Sequence, residues 1–127
     1  ACPNGSKPDP FVLDFAKAYG ENFSISDNIL EMAAGADVVC TDVWASMGQE
    51  GEAEARKAAF AGFQVNDAVM AAANPGAMVQ HCLPAHREEE ITAKVFEEHP
   101  NEIFEEAENR LHAQKAVMVK LMAANRR

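Results

Sequence analysis

An α/β fold, with a parallel sheet flanked by helices in a Rossmann-like arrangement, follows from three features of the 127-residue sequence. Helix-like and strand-like segments alternate along the chain, the pattern that brings parallel strands together through helical crossovers. ADVVCTD, Ala36 to Asp42, is a continuous β-prone run of the kind found in strands buried on both faces. AMVQH, Ala77 to His81, is the next strand, and it follows the turn signal Asn74-Pro75-Gly76.

The remaining elements fall around these two strands. Pro8-Asp9-Pro10 ahead of FVLDFAKAYG marks the start of a first helix, with Gly20 as its stop. FSIS, Phe23 to Ser26, alternates as a short strand does. Asp27 can cap a second helix, NILEMAAG, which ends at Gly35. After a loop containing Gly48, the Ala/Glu-rich stretch from Glu50 to Gly62 reads as helical, and Asn66 can cap DAVMAAAN. Thr92 to His99 reads as a short helix and EIFE, Glu102 to Glu105, as a short strand. A last helix, from about Glu106 to Ala124, carries Ala107, Leu111, Met118, Leu121 and Met122 at helical spacing, which marks a buried stripe. No internal repeat, low-complexity tract or linker interrupts the pattern.

Composition narrows the class. The 48% hydrophobic content and seven Phe belong to a folded globular chain. Eleven basic residues against twenty acidic ones give a formal charge of −9. That balance disfavours a nucleic-acid partner, which needs a basic face. Cys2, Cys40 and Cys82 are odd in number and lack CxxC spacing, as expected of free thiols in a reducing cytoplasm. The apolar runs are too short for a membrane span. The chain opens on Ala1, as expected of a processed chain or of a piece of a longer one.

Ligands of open α/β sheets bind outside the carboxyl ends of the strands. One strand ends at Asp42 and enters DVWASMGQE; the other ends at His81 and enters HCLPAHR. If the two strands are neighbours, these loops share one cleft. In the first loop, Asp42 can hold an ammonium and Ser46 can share it. Gly48 permits a tight turn, and the amide groups opening the next helix favour a carboxylate. The same residues also read as a turn cap at Asp42 and a core filler at Met47.

Cys82 is open to four roles. With His81 and His86 it could ligate a metal, although no fourth ligand and no paired spacing accompany them. It could be a nucleophile with a histidine base. It could accept a hydrogen bond from a substrate amine, or be a small buried residue at a strand end. Pro84 is a candidate for a cis bond that would turn the Leu83 carbonyl into the cleft. Arg110, placed near the start of the last helix, either serves an anion there or is neutralised by Glu105, Glu106 and Glu108. His99 and His112 read as surface or packing residues.

Four segments in order, TDVWASMGQE (Thr41 to Glu50), FQVN (Phe63 to Asn66), HCLPAHREEEIT (His81 to Thr92) and EAENRLHAQKAVM (Glu106 to Met118), resemble the carboxyl-terminal part of ornithine carbamoyltransferases. The resemblance covers nearly the whole chain. HCLP together with Asp-x-Trp-x-Ser-Met-Gly is more specific than either motif alone, and the Ser-Met-Gly loop is the variant found in enzymes that use ornithine.

That resemblance implies transfer of a carbamoyl group from carbamoyl phosphate to the δ-amine of ornithine, giving citrulline and phosphate, without metal or organic cofactor. It implies that Asp42 and Ser46 hold the ornithine α-amino group with help from the Met47 backbone. Cys82 and the Leu83 carbonyl would contact the δ-amine beside the carbamoyl phosphate, a cis Leu83-Pro84 bond would aim that carbonyl, and Arg110 would bind carbamoyl phosphate. Residues 1–127 would form the ornithine-binding domain without its first strand-helix-strand unit, and residues 106–124 a helix that packs on the carbamoyl-phosphate domain. Assembly as a homotrimer or a multiple of trimers, with no nucleic acid or membrane, is also implied.

Two departures stand out. Glu88 replaces the glycine that commonly follows His-Arg, beyond the contacting residues. The Ser-Thr-Arg-Thr loop and the His-Pro-x-Gln segment of the family's amino-terminal domain have no counterpart in this sequence. A stand-alone module that binds an amino acid or a partner chain without catalysis is the alternative expectation.

Overall fold

The computed structural model describes residues 1–45, 48 and 50–125. Two parallel strands, β1 (Val38–Thr41) and β2 (Met78–His81), pair in register from Val38 opposite Met78 to Thr41 opposite His81. The crossover between them carries α3 (Ala53–Ala59) and α4 (Asp67–Ala72). α1 (Pro10–Lys17) and α2 (Ile29–Ala33) precede the sheet, while α5 (Ala93–Glu98) and α6 (Pro100–Ala124) follow it. Among the described residues, no helix is long and apolar enough to cross a membrane.

Local chemistry accounts for most of the boundaries. The Asp9 carboxylate accepts the Phe11 amide at the start of α1, with Pro10 at the first position. The Asn66 side-chain Oδ1 accepts from the Ala68 and Val69 amides, and the Thr92 hydroxyl accepts from the Val95 amide. Gly35 and Gly76 leave their helical and turn segments at φ 71° and 81°, a region that disfavours any side chain.

The core sits on the β2 side, where Val79, Ile91, Val95 and Ile103 are fully shielded, joined by Ala33, Val65, Val69 and Phe96. α6 joins it at its first turn. There Glu102 Oε2 accepts the Val79 amide of β2 at 2.7 Å and bonds His99 Nδ1 at 2.9 Å.

Several expectations from sequence change here. β1 is not buried on both faces: Val38 and Cys40, which share one face of the strand, are exposed, because among the described residues that face is left largely uncovered. Among the described residues Phe23 to Ser26 forms no ladder; the Cys2 amide donates to the Ser26 carbonyl at 3.1 Å. Asn28, not Asp27, caps α2, accepting the Glu31 amide, while Asp27 receives Asn4. Glu102 to Glu105 is helical and α6 starts at Pro100. Proline at the first helical position has its φ already set and lacks only an amide the helix could not have used. The expected buried stripe is open, with Leu111 66%, Met118 57%, Leu121 60% and Met122 66% exposed.

Core and stripe therefore differ in energetic weight. Ile103→Ala is expected to lower unfolding stability by about 3 kcal/mol. Leu111→Ala in this chain should change it by less than about 0.5 kcal/mol. Urea unfolding of the two variants beside the parent chain checks both.

Candidate functional site

The in-register pairing of Thr41 with His81 sets the next residue of each strand side by side. Cys82 Sγ donates to Asp42 Oδ1 at 3.2 Å, so the two loop entries meet as the strand pattern predicts. The same oxygen accepts the Val43 amide at 2.8 Å, which makes Asp42 both a local turn cap and a partner of Cys82. The loop then runs to Trp44, whose ring stacks on Phe60 at 6.0 Å, with Phe63 edge-on to Phe60 at 6.1 Å. Arg56 adds a weaker hold, its guanidinium donating to the Trp44 carbonyl at 3.4 Å. Ser46 and Met47, expected in ornithine binding, lie outside the described residues.

The second loop is held from beneath. His81 is fully buried, and its Nδ1 accepts the Leu83 amide at 2.9 Å. That acceptor role puts the ring hydrogen on Nε2, which donates to Glu90 Oε1 at 3.1 Å. Glu90 Oε1 also accepts the His86 amide at 2.6 Å. One buried carboxylate thus fixes HCLPAH at two points. The Leu83-Pro84 bond is cis and Leu83 sits at φ 55°. Glu88 occupies φ 67°, the left-handed region that favours glycine, and its carboxylate accepts the Ala93 amide at 2.8 Å.

Metal ligation finds poor support in this arrangement. The donor atoms of Asp42, His81 and Cys82 lie within 4.8 Å of one another, yet both His81 nitrogens are already committed. His86 groups instead with Glu89 and Glu90, away from Cys82, and Glu89 pairs with Lys57 at 2.9 Å.

Arg110 is not near the start of its helix. With α6 beginning at Pro100 it lies in the third turn, beyond the reach of the amino-terminal dipole. None of Glu105, Glu106 and Glu108 pairs with it among the described residues; Glu108 bonds His112 at 3.3 Å instead. Arg110 and Cys82 line one cleft of about 310 Å³ together with Glu106, Ala107, Asn109 and Ala113. Sequence reasoning missed Glu90, which sits in a run of three glutamates with nothing to single it out.

Residues 1–121 match the family model described as aspartate/ornithine carbamoyltransferase, Asp/Orn binding domain. The chain belongs to this family. It is 53% identical over 123 residues to the ornithine carbamoyltransferase of Syntrophotalea carbinolica, covering 97% of this chain and 41% of that protein. The Methanosarcina acetivorans ornithine carbamoyltransferase is 52% identical, with 96% and 40% covered. Among solved structures, the anabolic ornithine carbamoyltransferase of Campylobacter jejuni superposes with TM-score 0.90 at 38% identity, covering 98% of this chain and 43% of that one. An N-acetyl-L-ornithine transcarbamylase superposes with TM-score 0.70 at 33% identity, with 91% and 36% covered. The chain spans about 40% of the length of the carbamoyltransferases it matches. Its strands and helices are those of a Rossmann-like carbamoyltransferase domain.

Electrostatics around the carbamoyltransferase motif favour a neutral thiol. Burial pushes the Cys82 pKa above its usual 9.0, and the Asp42 hydrogen bond and the Asp42 and Glu106 charges push the same way. Cys40 is raised in turn by burial, then by Glu106 and Asp42. An activated thiolate nucleophile is therefore disfavoured at neutral pH. For Glu90, burial is the largest influence and acts upward. His81 and the His86 and Glu90 amides act downward, and the net effect holds the carboxyl below its usual value.

Two outcomes follow from these shifts. Asp42→Asn removes a charge that opposes the thiolate, so the Cys82 pKa should fall. Its alkylation by iodoacetamide at pH 8 should quicken about threefold or more; an unchanged rate would count against the bond. Since the Glu90 pKa is depressed on folding, its contribution to stability is present above about pH 4.5 and is lost as pH falls through the lower, folded value. Glu90→Gln should cost about 2 kcal/mol at neutral pH, the loss of hydrogen bonds to a buried carboxylate, and flatten that acid limb, read from urea midpoints across pH.

Proposed function

We propose that this chain is the ornithine-binding part of an ornithine carbamoyltransferase. The reaction moves the carbamoyl group of carbamoyl phosphate onto the δ-amine of ornithine, releasing citrulline and phosphate. The observation that carries this reading is the contact between Asp42 and Cys82 at the carboxyl ends of adjacent parallel strands, with Arg110 across the cleft from Cys82.

In this reading Asp42 and Ser46 hold the ornithine α-ammonium, with the Met47 backbone assisting. The δ-amine must be neutral to attack, so a site that desolvates it and accepts its hydrogen bonds lowers the barrier. Cys82 and the Leu83 carbonyl supply those acceptors, and the thiol needs no covalent intermediate. Arg110 takes the phosphate end of carbamoyl phosphate, where charge develops as the carbamoyl group leaves. No metal or organic cofactor enters this chemistry.

The open stripe Leu111, Met118, Leu121 and Met122 supports docking of residues 106–124 on a carbamoyl-phosphate domain elsewhere in the full polypeptide. The side of β1 that has no strand partner among the described residues supports a sheet continued by an earlier strand-helix-strand unit. A trimeric, cytoplasmic enzyme completes the proposal.

Citrulline production tests it. The full polypeptide carrying this sequence should form citrulline from ornithine and carbamoyl phosphate, and the 127-residue chain by itself should form none. Cys82→Ala and Arg110→Ala should each lower kcat/KM by roughly a hundredfold or more. A full polypeptide with no citrulline formation would overturn the reading.

A further inference from the structure

Glu90 puts a carboxylate where an uncharged acceptor would serve the same donors. Its Oε1 takes both the His81 ring hydrogen at 3.1 Å and the His86 amide at 2.6 Å. Its Oε2 is shielded from solvent and has no hydrogen-bond partner among the described residues. A glutamine here could receive the same two donors, in weaker bonds, through its carbonyl oxygen and without burying a charge. Satisfying two donors is therefore not what favours the acid.

Acid and amide differ in what each permits at His81. An ionised carboxylate only accepts, so the ring nitrogen facing it must carry the hydrogen. An amide can also donate, and would let the ring place its bare nitrogen toward residue 90 and its hydrogen toward Leu83. The Leu83 amide is itself a donor, 2.9 Å from Nδ1. That second tautomer would set two donors against each other and release Leu83. The Glu90 carboxyl is held below its usual range, so at neutral pH it is ionised and enforces the first tautomer.

Leu83 depends on this hold. It sits at φ 55°, a region that disfavours a residue with a side chain. The Leu83 amide on one side and the His86 amide on the other flank the Leu83 carbonyl, and both bonds lead back to Glu90 Oε1. Glu90 does not line the cleft of Cys82 and Arg110, so its influence there passes through these two anchors.

We propose that Glu90 is a positioning residue: by fixing the His81 tautomer it holds the Leu83 carbonyl in the place where the substrate amine is received. The inference rests on the ornithine reading above and adds to it a residue that never meets substrate. With Asp42 holding one end of the amino acid and Leu83 receiving the other, the span between them selects the chain length. A loosened Leu83 accepts a longer chain.

The test uses the full polypeptide, with Glu90→Gln, Glu89→Gln, His81→Asn and the double variant of Glu90→Gln with His81→Asn. Carbamoylation of ornithine is compared with that of lysine, one methylene longer. The ratio of their kcat/KM values does not depend on the fraction of enzyme that is folded, so destabilisation alone cannot move it. In Glu90→Gln the ratio should fall about tenfold and the ornithine KM should rise, while the carbamoyl phosphate KM stays within about twofold. Glu89→Gln, the neighbour in the glutamate run, should match the parent. Asparagine at position 81 keeps an acceptor for Leu83 but cannot reach Glu90. Adding Glu90→Gln to it should therefore change the ratio by less than about twofold, as expected of residues acting in series.

One measurement needs no variant: nitrogen NMR of the parent with isotope-labelled histidine should show His81 with its hydrogen on Nε2 and a bare Nδ1. A parent without citrulline formation would sink the functional reading itself. With an active parent, three results would each overturn this inference alone. They are an unchanged ratio and ornithine KM in Glu90→Gln, additive effects in the double variant, and a His81 ring carrying its hydrogen on Nδ1.

Discussion

The parallel pairing of β1 with β2 is the constraint on which the site depends. A parallel ladder fixes both the direction and the phase of its strands. Once Thr41 stands opposite His81, the next residues cannot avoid each other. Bonds upstream of the ladder hold the register too: the Met78 amide donates to the Asp37 carbonyl and the Asn74 amide to the Ala36 carbonyl, while the Asn74 side chain donates to the Asp37 carboxylate at 2.7 Å. A slip by one residue would turn Val79 and His81 from the core to the opposite face and separate Asp42 from Cys82.

Above that ladder, two small devices turn strand ends into a shaped cleft. One is aromatic: Trp44, Phe60 and Phe63 tie the Asp42 loop to the end of α3. The other is polar, the chain of Glu90, His81 and Leu83, in which each bond defines the next group's role. Low polarity around these buried groups strengthens each bond and makes the loss of any one expensive. The result is an HCLP segment held at His81 and Leu83, whose thiol two carboxylates discourage from ionising.

The outer surfaces complement this picture. Phe11 is 79% exposed and Phe15 60%, and the latter half of α6 presents its apolar residues to solvent. Contiguous apolar faces of this kind are characteristic of contact surfaces. They fit a chain that spans about 40% of the length of its relatives. The well-shielded core is confined to the β2 side, where α5 and the first turn of α6 close over the sheet.

Much of this was written in local sequence. Caps at Asp9, Asn66 and Thr92 and the breaks at Gly20 and Gly35 are short-range effects, so each element of the α/β alternation except two was legible. Phe23 to Ser26 lacked a partner to make it a strand, and Glu102 to Glu105 followed Pro100 into a helix. The motif residues Asp42, Cys82 and Arg110 were also legible, because their types and order carry the family resemblance. Which atoms meet was not. The choice of Glu90 from three successive glutamates, the tautomer of His81 and the meeting of Cys82 with Arg110 in one cleft depend on packing between segments distant in sequence. Local propensity sets the elements, whereas contact between the elements sets the burial and hydrogen bonding that give each side chain its chemistry.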